Sequence, residues 1–409
     1  MTKLDELIQE LCPDGVKYLP IPELFITRNG YTPSKANNEF WENGTIPWFR
    51  MEDIRENGRI LTTATQYVSE KAVKGKLFPA DSIIIATSAT IGEHALIKVP
   101  SLANQRFTYL TLKDEFKDCV DMMFVFYYCF RLDEYCKSHL NQGNFASVDM
   151  KQFAAFKFPV PPLPVQREIV RILDNFTEIT AELTAELTAR KQQYEFYRDQ
   201  LLTFAAQGET ILTDKPNALN RLCQYVSEFI FVKLSDISVN CDSLRKPVTS
   251  GNREAGNIPY YGASGIVDYV KDYIFDGDYL LISEDGANLL ARNTPIAFSI
   301  SGKNWVNNHA HILRFNNRIT QRYVEIYLNS IDLSPYISGG AQPKLNQQNL
   351  YKIPIPLPSY QKQKEIVTIL DRFDTLCTDL SSGLPAEIEA RQKQYEYYRD
   401  KLLSFEEKI

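Results

Sequence analysis

The sequence has no apolar run that could cross a membrane; the longest, Met122 to Phe130, is far short of the ~20 residues a spanning helix needs. Its seven cysteines are an odd number without a CxxC pair, which excludes a disulfide scaffold and reads as reduced thiols. It has no surplus of positive charge: 45 Lys and Arg stand against 51 Asp and Glu, a net charge of -6. Bulk electrostatics therefore do not mark a nucleic-acid binder. The first residues, Met-Thr-Lys-Leu-Asp-Glu-Leu, are charged where a signal peptide needs an apolar core, so a cytoplasmic location is expected. What remains is an ordinary globular chain of 409 residues, 44% hydrophobic and 23% charged, long enough for two or more cored domains.

Recognisable catalytic chemistry is also missing. No GxxxxGK[ST] loop is present, since Ser301-Gly302-Lys303 lacks the upstream glycine and the following hydroxyl. No GxGxxG opens a helix. Asn257-Ile258-Pro259-Tyr260 has the wrong second residue for the Asn-Pro-Pro-Tyr of amino-methyltransferases. Among only four histidines, His309 and His311 are two apart, which on a strand places both on one face. With no cysteine or second histidine pair nearby, base contact or packing is the better reading than a metal. Glu284 and Asp285 lack a neighbouring lysine in a nuclease-like arrangement. No active site is expected.

What the chain does have is a repeat of itself. ARKQQYEFYRDQLLTF (189–204) returns as ARQKQYEYYRDKLLSF (390–405), and EIVRILDNF (168–176) as EIVTILDRF (365–373). Two proline-rich joints precede them, FPVPPLPVQ (158–166) and IPIPLPSYQ (353–361). The offset grows from 195 at the joint to 197 at EIV and 201 at the tyrosine-rich end. GTIPWFRMEDI (44–54) echoes GNIPYYGASGI (256–266), and LFPADSIII (77–85) echoes IFDGDYLLI (274–282). Alike helices and unlike domains describe a scaffold carrying two differently tuned readers.

After each joint the apolar residues step by three and four, which predicts long helices with a narrow seam. The expected interface residues are Ile172, Phe176, Leu183 and Leu187 in the first copy and Ile369, Phe373, Leu380 and Ile388 in the second. The first seam runs on to Phe204. The two copies are each other's natural antiparallel partners, with pseudo-twofold symmetry. Gly383 and Pro385 predict a kink or restart in the second helix. Between helices, short β-branched and aromatic strands such as Ser82–Ala86 and Tyr279–Ser283, with helices over 122–139 and 321–330, predict α+β domains built on a twisted, mostly antiparallel sheet. The predicted division is domain 1 over 1–157, joint and helix over 158–206, domain 2 over 207–352, and joint and helix over 353–409.

Neither domain is basic: residues 1–155 carry 17 Lys and Arg against 20 Asp and Glu, and residues 207–352 carry 14 of each. DNA contact would have to come from focused patches. Ser, Asn, Gln and Arg beside strand ends can read base edges. The candidates are Arg50, Ser88, Thr90, Gln105 and Arg106 in the first domain, and Ser264, Asn288, Asn308 and His309 in the second. Gln142 to Phe145 and Gly339 to Lys344 precede the two joints as glycine-hinged loops, with Lys344 the expected phosphate contact.

Two divergent domains, each closed by a proline joint, an EIVxILD helix start and a YEYYRDxLLSF-type end, resemble the DNA-specificity subunits of type I restriction–modification systems. TAELTAEL and IPYYGASGI…WVNNHAH are also similar to that family. The resemblance implies two target recognition domains, each reading half of a bipartite, asymmetric DNA site. The helices would set the spacer and dock two methylation subunits, with restriction subunits joining for cleavage. S-adenosylmethionine, ATP and magnesium would sit on those partners and none on this chain. The competing readings are a DNA-modifying enzyme, against which the missing motifs count, and a coiled-coil adaptor that binds only proteins. Salt-dependent duplex binding separates the adaptor from a DNA reader.

Thr180-Ala181-Glu182-Leu183 is followed at once by Thr184-Ala185-Glu186-Leu187. One such unit lengthens a helix by ~6 Å and turns it by a net ~40°, against about 34–36° per DNA base pair. Deleting residues 184–187 is expected to shorten the spacer of the modified site by about one or two base pairs and leave both half-sites intact. Sequencing the modified sites of parent and deletion checks this; an unchanged spacer would remove the ruler.

Overall fold

In the computed structural model, residues 2–141, 146–202, 229–339 and 342–408 are described. The chain divides into two compact units, Met1–Glu182 with Ile388–Ile409, and Leu183–Glu387. Each unit holds one globular domain, the start of its own long helix and the end of the other.

The first unit is built on a five-stranded sheet in the order Phe25–Asn29, Phe107–Leu112, Ser82–Ala86, His94–Ile97, Ile60–Leu61, antiparallel except for its last pair. A second, three-stranded sheet runs Tyr67–Val68, Ile46–Phe49, Leu102–Ala103. The second unit repeats the plan. Ser238–Asn240, Ala310–Phe315, Tyr279–Ser283 and Ala297–Ile300 form an antiparallel sheet. Gly265–Val270, Ala255–Gly262, Lys303–Val306 and Phe275–Asp276 form the other. Each domain is thus mostly antiparallel, as expected, but divided between two sheets. Every residue of Ser82–Ala86 and of Tyr279–Ser283 is buried, which explains why both read as unbroken apolar runs. The expected domain helices are Met122–Ser138 and Arg318–Ser330.

The joints are strands. Lys157–Pro159 pairs with Tyr18–Pro20, and Ile355–Pro358 with Phe229–Val232. Prolines are tolerated because each ribbon has only two strands, leaving an open edge for the missing N–H. A buried glutamine then fastens each joint to its helix. Gln166 donates to the Pro161 carbonyl at 2.6 Å and accepts from the Asp121 N–H at 2.8 Å. Gln363 donates to the Pro358 carbonyl at 2.8 Å and accepts from the Thr320 hydroxyl at 2.7 Å. The structural offset at the joint is therefore 197, not the 195 of the sequence match, which pairs Gln166 with Gln361.

Leu163–Leu202 is one unbroken helix of 40 residues. Its counterpart is broken, Tyr360–Thr378 then Leu384–Leu402. Gly383 sits at the restart, where a Cβ would lie 2.7–2.9 Å from the carbonyls of Asp379, Thr375 and Leu376. Asp379 holds the turn by accepting from the Ser381 and Ser382 hydroxyls, both at 2.6 Å, and these bonds keep its carboxyl well below the ordinary range.

Within the first unit Phe176 stacks on Tyr398 at 5.5 Å, and Ile172 packs against the core. Within the second, Phe373 meets Tyr197 at 5.7 Å. Leu183, Leu187 and Ile388 are half-buried. Two expected seam positions fail. Leu380 is 77% exposed because it lies in the turn between the broken helices. Ile369 is 42% exposed because Ile366, Val367 and Leu370 are the residues that face the core. Phe204 lies outside the described residues.

The chain's end belongs to the first unit. Leu403 is fully buried in its core, and the Val16 N–H donates to the Glu406 carbonyl at 2.8 Å. Leu403→Ala is expected to cost about 2–5 kcal/mol by leaving a cavity. Hydrogen exchange should accelerate over residues 16–20, 122–138 and 157–160 and stay unchanged over 279–283 and 310–315. Equal acceleration in both sets would contradict the assignment.

Candidate nucleic-acid interface

The two domains present the same main-chain frame at one end of their antiparallel sheets. In the first, the Thr87 N–H donates to the Arg106 carbonyl at 2.9 Å, and the Val148 N–H to the Thr87 carbonyl at 2.9 Å. In the second, Glu284 N–H donates to His309 at 2.9 Å, and Leu345 N–H to Glu284 at 2.8 Å. The turns that carry the candidate readers match as well. Asn104 N–H bonds the Phe49 carbonyl and Asn307 N–H that of Tyr261, both at 3.0 Å. Each asparagine then uses Oδ1 to hold the N–H two residues on, that of Arg106 at 3.0 Å and of His309 at 2.8 Å. Isolated bridges Ser88–Ser147 and Asp285–Lys344 complete the correspondence. Ser88 thus stands where Asp285 stands, Ser147 where Lys344, Gln105 where Asn308, and Arg106 where His309.

Beneath this shared backbone the chemistry differs. In the first domain the layer is neutral: the Thr87 and Thr108 hydroxyls are 3.0 Å apart, and Thr108 donates to Asn29 Oδ1 at 3.0 Å. In the second the same positions are Glu284, His311 and Asp242. His311 Nδ1 lies 2.6 Å from Asp242 Oδ2 and 3.9 Å from Glu284 Oε2, while Nε2 reaches the Leu345 carbonyl at 2.7 Å. Arg245 donates to Glu284 at 2.6 Å, and Lys344 Nζ lies 3.2 Å from its other oxygen. Burial works to raise the Glu284 carboxyl, but the Arg245 hydrogen bond, the His311 charge and Lys344 outweigh it and leave it below its ordinary range. Burial is likewise overcome at Asp242 by His311 and the Ile312 N–H.

Several of the residues proposed from the sequence occupy this end. Gln105 and Arg106 are exposed at a turn tip; Gln105 accepts from the Thr32 hydroxyl, and the Arg106 guanidinium has no partner among the described residues. Ser88 and Thr90 are half-buried in the loop after Ala86, where Ala89 has a φ of 65°. Asn308 is exposed, and Ser264 is exposed at the tip of the Ala255–Val270 hairpin. That hairpin is tied in through Ser283 Oγ, which donates to the Ala263 carbonyl at 2.5 Å.

Others are engaged within the protein. Arg50 donates to Thr65 Oγ1 at 2.9 Å, beside Asp53, which accepts the Arg50 and Thr65 N–H groups, both at 2.6 Å. Asn288 braces its own turn through both polar atoms, bonded to Thr294 at 2.9 and 3.0 Å. Gln142 to Phe145 and residues 340–341 lie outside the described residues.

Three expectations need correction. Glu284 does have a neighbouring lysine, Lys344, brought across 60 residues by the bridge at Asp285. That ammonium is already paired rather than free for phosphate. His309 lies before the strand Ala310–Phe315 and is exposed on Asp285, whereas His311 is buried on Asp242, so the two do not act together. Among the described residues no group of three His, Cys, Asp or Glu is placed to hold a metal. Asp285 could have been found by carrying the offset of 197 from Ser82–Ala86 to Ser88, whereas nothing in the sequence signals the pairing of Lys344 with Glu284.

Comparison with known proteins accounts for the doubling. The model of the type I restriction modification DNA specificity domain matches residues 13–190 and again 227–390. The specificity subunit of the Escherichia coli type I restriction enzyme EcoprrI is 44% identical over 398 residues, 93% of each chain. That of Escherichia coli EcoR124I/EcoR124II is 32% identical over 298 residues, 66% of this chain and 68% of the relative. A chain solved for complex assembly and conformational transition of the type I R-M system shares the fold with a TM-score of 0.60 and 15% identity, over 96% of this chain and 98% of that one. The repeated specificity domain favours the DNA reader over the protein-only adaptor. With both halves matched and nearly the whole length shared at 44% identity, the chain belongs to the specificity subunits of type I restriction–modification systems.

Proposed function

We propose that each domain reads one half of a split, asymmetric site in double-stranded DNA, using the frame ends around Ser88, Gln105 and Arg106 in the first and Asp285, Asn308 and His309 in the second. The observation that carries this reading is the shared backbone frame with unlike side chains at its exposed positions. A device that reads two different sequences with one geometry needs that combination, because base pairs present different patterns of donors and acceptors on a common duplex frame.

The helices set the spacing between the half-sites and dock two methylation subunits; restriction subunits add cleavage. Chemistry resides on those partners, which bind S-adenosylmethionine, ATP and magnesium, and the assembly works in the cytoplasm. No helix of the described residues is long and apolar enough to cross a membrane. The chain's own contribution is recognition. Arg106, exposed and unpaired among the described residues, can fork onto guanine O6 and N7.

Co-expression with the methylation subunit, followed by methylome sequencing, tests the reading. A split motif with two unlike halves is expected. Arg106→Ala should relax one half by about 5–150-fold in discrimination at one base pair and leave the other unchanged. Methylation without a split motif would sink the proposal; an unchanged first half would remove Arg106 from it.

A further inference from the structure

The second domain carries three acidic side chains at its frame end, and they are not alike. Asp242 and Glu284 have side chains only 11% and 12% exposed and are matched by His311, Arg245 and Lys344. Asp285 is 32% exposed, and its side chain has one partner among the described residues: His309 Nδ1, 2.9 Å from both carboxylate oxygens. A carboxylate offers about four acceptor sites and the imidazole N–H fills one direction, so Asp285 retains acceptor capacity toward solvent.

Building on the proposed DNA-reading role, we infer that Asp285, positioned by His309, selects a base in the second half-site by accepting a hydrogen bond from the exocyclic amino group of cytosine or adenine. A carboxylate on a surface that faces phosphates is repelled by them, so it is tolerated where a base donor satisfies it. In the major groove only cytosine N4 and adenine N6 supply that donor. Guanine and thymine present acceptors there, against which a carboxylate is repulsive. The first domain carries Ser88 at the same frame position, a hydroxyl that donates or accepts and therefore discriminates less sharply. Lys344 sits across the bridge from Asp285 yet pairs with Glu284. It leaves the Asp285 oxygens free and lowers the field that a duplex would meet.

The test uses the complex of this chain with its methylation subunit. Methylation rates are measured on duplexes in which each base pair of both half-sites is varied in turn. Wild type should discriminate about 5–150-fold for an amino-bearing base at one position of the second half-site. In Asp285→Ala that discrimination should fall to near unity at this position only, with the first half-site profile unchanged. Retained discrimination at every position, or a uniform drop in rate with all preferences intact, overturns the inference; the uniform drop is what a purely structural role predicts. If Asp285→Ala is too slow to measure, the isosteric Asp285→Asn decides: a changed preference at one base pair supports the inference and an unchanged profile overturns it. Failure of the DNA-reading proposal itself would show differently, as wild-type complex without any split-site preference.

Discussion

A helix with a narrow apolar seam must bury that seam, and here the burial joins residues more than 160 positions apart. The first core contains Val165, Ile169 and Leu173 from the start of one long helix and Leu403 from the end of the other. The second contains Ile366, Val367 and Leu370, with Leu202 from the far end of the first helix. Neither core is closed by its own repeat alone. The same constraint explains why the tyrosine-rich helix ends are nearly identical in the two copies while the sheets diverge. Those ends pack on a helix start and a core that are themselves repeated, so a change in one copy would have to suit a surface belonging to the other.

The attachment of helix to domain follows the same logic. The aspartate of the EIVxILD segment accepts from the domain helix in both units: Asp174 from the Tyr127 hydroxyl at 2.6 Å, and Asp371 from the Arg322 guanidinium at 2.8 Å. In the second unit Arg322 also holds Asp374 at 2.9 Å and pairs with the buried Glu325. One acceptor is kept and the donor changes from a neutral hydroxyl to a cation. There the cation also meets the buried carboxylate of Glu325, and breaking such a buried pair by removing one partner costs about 3–5 kcal/mol.

Much of this is legible in the sequence because it is periodic or repeated. Ser82–Ala86 and Tyr279–Ser283 announce themselves as buried strands, and Gly383 with Pro385 announces the break in the second helix. The errors arise where spacing stops reporting on burial. Leu380 continues the three–four rhythm into a turn that Gly383 imposes. Residue similarity aligns the joints through PVQ and SYQ, but the glutamine that matters is the one whose amide reaches the proline carbonyl, Gln363 and not Gln361. Lys344 and Glu284 lie 60 residues apart and meet through a single bridge, which no local pattern encodes.

The two frame ends keep one backbone arrangement while their side chains differ. Their shared hydrogen bonds run between main-chain groups, apart from the asparagine side chains at Asn104 and Asn307, so most side chains can change while the frame stays. The layer below restricts those changes. Asp285 stands next to Glu284, and the two carboxylates can be neighbours because Arg245, Lys344 and His311 surround Glu284. Under Ser88 lie hydroxyls and an amide, those of Thr87, Thr108 and Asn29, while Arg106 stands at the turn position from which His309 pairs with Asp285 in the second domain. The two frame ends therefore differ in the buried charge beneath them as well as in the side chains they expose.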